Sequence, residues 1–199
     1  MIDTVRLTQL HAETVERWHR EPVDCRYTGL WEAICRQHGF NFLLWHEEDI
    51  ARSPDVGDAK IAEVKRAIDR YNQQRNDAIE KVDDWITMDL EARGIRPREG
   101  ARLATETPGQ AIDRLSILAL RLYHLEEQLG RTDVSQEHRD GVLRKIAICR
   151  LQQSDLTGAL GELLTEIGEG TRRHRTYRQL KMYNDPALNP YLYDRKQAA

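Results

Sequence analysis

DAKIAEVKRAIDRYNQQRNDAIEKVDDWITMDLEAR, residues 58–93, decides the fold. It contains no Gly or Pro, and stepping about 100° per residue gathers Ile61, Val64, Ile68, Tyr71, Ala78, Ile79, Val82 and Ile86 into one apolar stripe. That period predicts a single helix about 50 Å long at ~1.5 Å per residue. Glu63, Arg66, Arg70, Gln74, Asp77 and Lys81 lie opposite, as a solvated face. Lys65, Asp69, Asn72, Asn76, Glu80 and Asp83 form a third stripe on the flank of the apolar one. Side chains on such a border reach a neighbouring helix or a cleft.

Downstream, Gly94 to Thr107 reads as a loop closed by a start signal. Thr107-Pro108-Gly109-Gln110 supplies an N-cap threonine, proline at the first helical position and glutamine at the capping-box position. The helix that follows, 108–129, is apolar on nearly every side, as a central helix must be. Ile112, Leu115, Leu118, Leu122 and Leu125 take one side, and Ile117 and Leu120 share another with Asp113 and His124. Asp113, Arg114, Arg121 and His124 are therefore candidates to be buried or to line a cleft. Ser135 caps a further helix to about Ile167, in which Gly158 and Gly161 read as points of close helix approach. The run Thr171–Lys181 carries five fixed positive charges and no acid, and the tail Met182–Tyr193 carries two Asx-Pro turns and three tyrosines. So aromatic a tail is expected to pack back on the protein.

Upstream, Val5, Leu7, Leu10, Val15 and Trp18 mark a helix over residues 3–20, ended by Glu21-Pro22. A second begins near Arg26 and carries Leu30, Ile34, Phe42, Leu43 and Trp45, with Gly39 as a kink or a break. Ser53 to Asp58 is a turn. The whole predicts a single all-α domain over 1–199, a bundle of five or six helices centred on 58–93 and 108–129, with 182–199 as an extended tail.

Composition agrees. Two Phe, twelve Gly and six Pro in 199 residues argue against a β-sandwich. A net charge of −3 gives no basic field for nucleic acid, and no reading motif accompanies the basic run 172–181. Three cysteines without a Cys-x-x-Cys pair fit reduced, mostly buried thiols rather than disulfides or a zinc site. The N-terminus lacks the pattern of a signal peptide, and no window approaches the ~20 apolar residues of a membrane span. A cytoplasmic protein is expected.

The chemistry concentrates between Asn41 and Glu80. His46, Glu47, Glu48 and Asp49 directly follow Phe42-Leu43-Leu44-Trp45, and on a helix His46 and Asp49 share a face. His46, Glu48, Asp49 and Asp69 are the candidates for proton transfer. Asn72, Asn76, Glu80, Asp113 and His124, with Lys65, Arg75 and Arg114 as anion partners, are the candidates for ligand binding, because amides and guanidinium groups read hydroxyls and phosphates directionally. One reading is an inter-helical site for a phosphorylated or glycan-type small molecule. The other is a structural network in a non-catalytic accessory or scaffold protein that associates with itself or a partner. A metal is a further use of His46, Asp49, Asp69, Glu80 and His124, against which stands an ordinary solvated acidic turn. The di-iron Glu-x-x-His pattern is absent, His124 to Glu127 running the other way round. There is no Gly-rich phosphate loop, nucleophile elbow or His-Glu-x-x-His, so no cofactor is named by the pattern.

Several of these segments resemble a bacterial family catalogued as domain of unknown function 4254. They are Leu44-Trp45-His46-Glu47-Glu48-Asp49-Ile50-Ala51-Arg52, Lys65-Arg66-Ala67-Ile68-Asp69, Asn72 to Glu80, Glu106-Thr107-Pro108-Gly109 with Ile112-Asp113-Arg114-Leu115-Ser116, and Lys181 to Pro190. The resemblance spans roughly 40 to 193. It implies a bacterial, cytoplasmic, all-α protein, and relatives beside glycosyltransferase genes would point to envelope-glycan metabolism. It implies no reaction and no site residues.

Overall fold

The computed structural model describes residues 2–182 and 185–193. Helix α1 (Thr4–Trp18) starts where the Asp3 carboxylate accepts the backbone N–H groups of Val5 and Arg6. Val5 is exposed; the buried face consists of Leu7, Leu10, His11, Thr14, Val15 and Trp18. Helix α2 (Gly29–Ala51) begins at a glycine with positive φ rather than near Arg26, and it runs unbroken through Gly39. A Cβ at Gly39 would come within 3.1 Å of Val23 and 3.6 Å of Trp18, so this glycine serves the approach of the α1–α2 connection.

Helix α3 (Asp58–Ala92) is the long helix, and it packs along α2. Val64, Ile68, Ala78, Ile79, Val82 and Ile86 are buried as their spacing requires, while Ile61 and Tyr71 are half-buried. Helix α4 (Pro108–Leu129) has the expected capping box, with the Thr107 hydroxyl accepting from the Gln110 N–H at 3.2 Å and the Gln110 side chain accepting from the Thr107 N–H at 2.9 Å. It contacts α1, α2, α3 and α5. Ile112, Leu115 and Leu120 are at its core with Leu7, Ile34, Val82 and Leu160. Helix α5 (Gln136–Gly168), capped by Ser135, pairs with α4. A Cβ at Gly158 or Gly161 would meet nothing within 4 Å, so these glycines mark no close approach.

Two features lie outside the helical pattern. The loop after α3 holds β1 (Arg102–Leu103), which pairs in parallel with β2 (Arg172–Arg173). The basic run beyond β2 is extended rather than helical and is laid along α3: His174 Nε2 donates to the Asp83 carbonyl at 3.0 Å, and Arg178 pairs with Glu80 and Asp84. Among the described residues the anchoring contacts include those of His174, Arg178 and the Gln179 N–H. Beyond it, Tyr191 is exposed, within the short helix α6 (Pro190–Tyr193). The expected contacts of Tyr183 and the segment 194–199 lie outside the described residues.

Asp83 holds α3 to α4. Its carboxylate accepts the Gly109 N–H at 2.8 Å, at the start of α4 where the helix dipole favours an anion. A Cβ on Gly109 would lie 2.7 Å from the Ile79 carbonyl oxygen and 3.0 Å from the Asp83 carboxyl carbon. Neither is the loose end of a side chain, so Gly109→Ala is expected to destabilise by about 1–3 kcal/mol, read as a lowered urea midpoint with an unchanged slope.

Candidate functional site

Three polar groupings meet where α1, α2, α3 and α4 come together. The first is buried. Asp113, one turn into α4, accepts hydrogen bonds from Gln37 and Asn41 of α2 and a two-pronged pair from Arg75 of α3, whose Nε lies at 2.8 Å. Asn41 also donates to the Ser116 hydroxyl at 2.8 Å. The Asp113 carboxylate holds the Arg75 guanidinium charged even more firmly than usual. His38 Nε2 lies 3.2 Å from the His11 carbonyl and must donate to it, so its Nδ1 accepts from Ser116 Oγ at 2.6 Å. A serine hydroxyl bonded to histidine suggests a nucleophile, but Ser116 and His38 are both wholly buried and no substrate reaches them. Their role is structural. Burial holds His38 down to about 3, and burial together with His38 holds His11 well below the ordinary imidazole value. Both rings are neutral at physiological pH.

The second grouping lies directly above. A cleft of about 340 Å³ is lined by Asn41, Leu44, Trp45, Glu48, Asp49, Arg52, Arg75, Ile117 and Leu120. Asn41 and Arg75 connect its floor to Asp113, Ile117 and Leu120 form its apolar α4 wall, and Glu48, Asp49 and Arg52 stand on the last turns of α2. Arg52 pairs with Glu48 at 2.8 Å. Arg75 spends Nε and Nη2 on Asp113, and its Nη1 has no hydrogen-bond partner among the described residues.

The third grouping lies across Trp45. His19 caps the C-terminus of α1, His46 sits on α2 and His124 on α4, and one ring nitrogen of each lies within 4.8 Å of the others. The Trp45 indole stacks on His124 with 5.0 Å between ring centres, Tyr123 stacks on His19 at 4.0 Å, and Phe42 meets His19 and His46 edge-on. Burial, and then the neighbouring His19 and His124, hold the His46 imidazole below its usual value. His19 Nδ1 bonds the Val15 carbonyl and His124 Nδ1 bonds the Glu127 carboxylate, both at 2.7 Å.

The residues singled out in the sequence are thus divided. Glu48, Asp49 and Arg75 meet in the cleft, with Asp113 behind Arg75. His46 and His124 meet in the histidine cluster, without Asp49, Asp69 or Glu80. Lys65 and Asp69 pair with one another at 2.6 Å on the exposed face of α3. Asn72 and Asn76 are half-buried, the Asn72 carbonyl accepting from Lys181 at 3.4 Å. Glu80 binds Arg178 and the Gln179 N–H, and Arg114 binds Glu106 at the surface. Gln37, His38, Asn41, Arg52, Ser116 and His19 were not among the sequence candidates. Asn41 opens the acidic stretch and Ser116 lies one helical step from Asp113. His19, by contrast, has no local signal beyond following the buried Trp18.

Among the described residues no helix is long and apolar enough to cross a membrane. No curated protein and no solved structure matches the chain. A family described as "Protein of unknown function (DUF4254)" matches residues 31–176, which takes in α2 from its third residue, all of α3, α4 and α5, and every cleft residue. That match covers well over half of the chain, and the protein belongs to the DUF4254 family.

Proposed function

We propose that the cleft between α2, α3 and α4 binds a neutral, polyhydroxylated small molecule of glycan type. The observation that carries this reading is the juxtaposition, in one cleft of about 340 Å³, of the Trp45 indole with Asn41, Glu48, Asp49 and the unspent edge of Arg75. Sugar rings present an apolar face bordered by hydroxyls. An indole with carboxylates, an amide and a guanidinium around it offers the matching surface and directed partners. The volume lies within the range of about 300–1,000 Å³ common to ligand pockets.

Charge favours the glycan version over the phosphorylated one. Arg52 and Arg75 face Glu48 and Asp49, with Asp113 already matched to Arg75. Two cations against three carboxylates disfavour a phosphate dianion. The remaining expected anion partners, Lys65 and Arg114, are engaged by Asp69 and Glu106 outside the cleft. Proton transfer, if the ligand is also a substrate, falls to Glu48 or Asp49, which are the carboxylates lining the cleft.

The test is a melting-temperature panel of neutral saccharides, sugar phosphates and nucleotide sugars. A ligand at about 100 times its Kd adds ~2.7 kcal/mol of stability, several degrees in Tm for a chain of this size. Neutral saccharides are expected to raise Tm more than their phosphorylated forms. Trp45→Ala and Asp49→Asn are each expected to weaken binding about tenfold or more, the loss of a hydrogen-bonded or stacked contact of ~1.4 kcal/mol. A second reading, an accessory protein that associates with itself, is favoured by the exposed Ile148 and Leu151 one turn apart on α5. It requires sedimentation as a dimer and a Tm insensitive to every saccharide.

A further inference from the structure

We propose that His19, His46 and His124 form a binding site for one divalent transition-metal ion of the zinc class, with a coordination position left open. The site goes beyond the glycan reading and stands without it.

Geometry is the first support. Three imidazoles on a tetrahedral ion, with metal–nitrogen bonds of about 2.05 Å and roughly 1.2 Å more to each ring centre, place their centroids about 5.2 Å apart. Here the centroids are 5.1 Å apart for His19 and His124, 5.2 Å for His19 and His46, and 5.5 Å for His46 and His124. The three rings are mutually steep, at 72°, 75° and 81°, so none stacks on another and closes the space between them. One donor atom of each ring already lies within 4.8 Å of those of the other two.

Hydrogen bonding is the second, independent support. A carbonyl and a carboxylate can only accept, so the Nδ1 atoms of His19 and His124 carry the protons that Val15 O and Glu127 Oε2 receive. In the neutral ring each Nε2 is then the lone pair. Both Nε2 atoms are buried and have no hydrogen-bond partner among the described residues. An imidazole whose far N–H is held by a carbonyl or carboxylate is the arrangement that orients metal-binding histidines. Glu127 acts here as a positioning residue, through His124.

The third support is rigidity. Tyr123 stacked on His19, Trp45 stacked on His124 and Phe42 against His19 and His46 restrict the rings before any ion arrives. The donor set selects the ion: three imidazoles and no carboxylate suit zinc, cobalt, nickel or copper and not magnesium or calcium. Three protein ligands leave a tetrahedral ion one position for water or a ligand atom.

The full-length protein, stripped with chelator, is titrated with Co(II) and with Zn(II) in competition with a chromophoric chelator. The expected result is one ion per chain, with cobalt absorption of low-coordinate, nitrogen-rich type. His19→Ala, His46→Ala and His124→Ala should each weaken binding 100-fold or more. Glu127→Gln, which keeps all three ligands, should weaken it 10- to 100-fold, and His138→Ala, on the exposed start of α5, should leave it unchanged. Should an alanine variant fail to fold, histidine nitrogen NMR of the wild type decides, since zinc must shift one ring nitrogen of each of these three histidines. The proposal is overturned if the wild type binds no tighter than His46→Ala, or if zinc shifts other histidines instead.

Discussion

Asp113→Ala is expected to destabilise the protein by about 3–5 kcal/mol, the effect of removing one partner of a buried charge pair. The loss is large because three donors depend on one carboxylate. Arg75, Gln37 and Asn41 all point at Asp113, which is 5% exposed, and water cannot replace it. Asp113→Asn keeps one acceptor and should cost less. Replacing both charges, Arg75→Met with Asp113→Leu, should recover the part of the loss that comes from the stranded charge, while Gln37 still lacks its acceptor. Urea denaturation of the three variants distinguishes these outcomes. A loss below 1 kcal/mol in Asp113→Ala would mean that the network does not hold α2, α3 and α4 together.

Mild acid is expected to have an effect of similar size. His38, held down to about 3, and His11, held well below its ordinary value, stay neutral in the folded protein. In the unfolded chain each protonates near pH ~6.5. Above that pH both states are neutral and stability is complete. Below it the unfolded state binds protons that the folded state refuses, and each ring costs about 1.4 kcal/mol per pH unit. For His38 the loss continues until the pH approaches about 3. His46, also lowered, acts in the same direction. Asp83 acts in the opposite one, because burial raises its carboxyl and the folded state then gains protons in the carboxylate range. The interval between pH ~6.5 and ~5 is therefore the clean window. Urea midpoints at its two ends should differ steeply in the wild type and less so in His11→Phe, by about 1.4 kcal/mol per pH unit, since its ring needs no partner. His11 is suited to that exchange, as neither of its ring nitrogens has one now.

The helices were legible because their signals are local. The stripe of α3, the capping box at Thr107 and the Ser135 cap each involve residues within a turn of one another, and the structure places α3 and α4 within a residue of the expected ends. β1 and β2 were not legible: two-residue strands 70 positions apart carry no period, and the close approach of Gly170 to the Arg96 carbonyl beside them joins segments similarly far apart in the chain. The flank of α3 misled for a related reason. A 35-residue helix outruns its neighbours, so one stripe passes from water at Lys65 and Asp69 to the core at Asp83. Position around a helix specifies a face, not what covers it at each turn. The same limit hid His19, since nothing in α1 says that its end meets His46 and His124.

The central claim is that the cleft beside Trp45 holds a glycan-type ligand, and saturation-transfer NMR on a pool of neutral mono- and disaccharides tests it most directly. The predicted result is transfer to ring protons of at least one sugar in the wild type and its loss in Trp45→Ala, with Asp113 and its partners left in place. Equal transfer in both proteins, or none in the wild type, would contradict it.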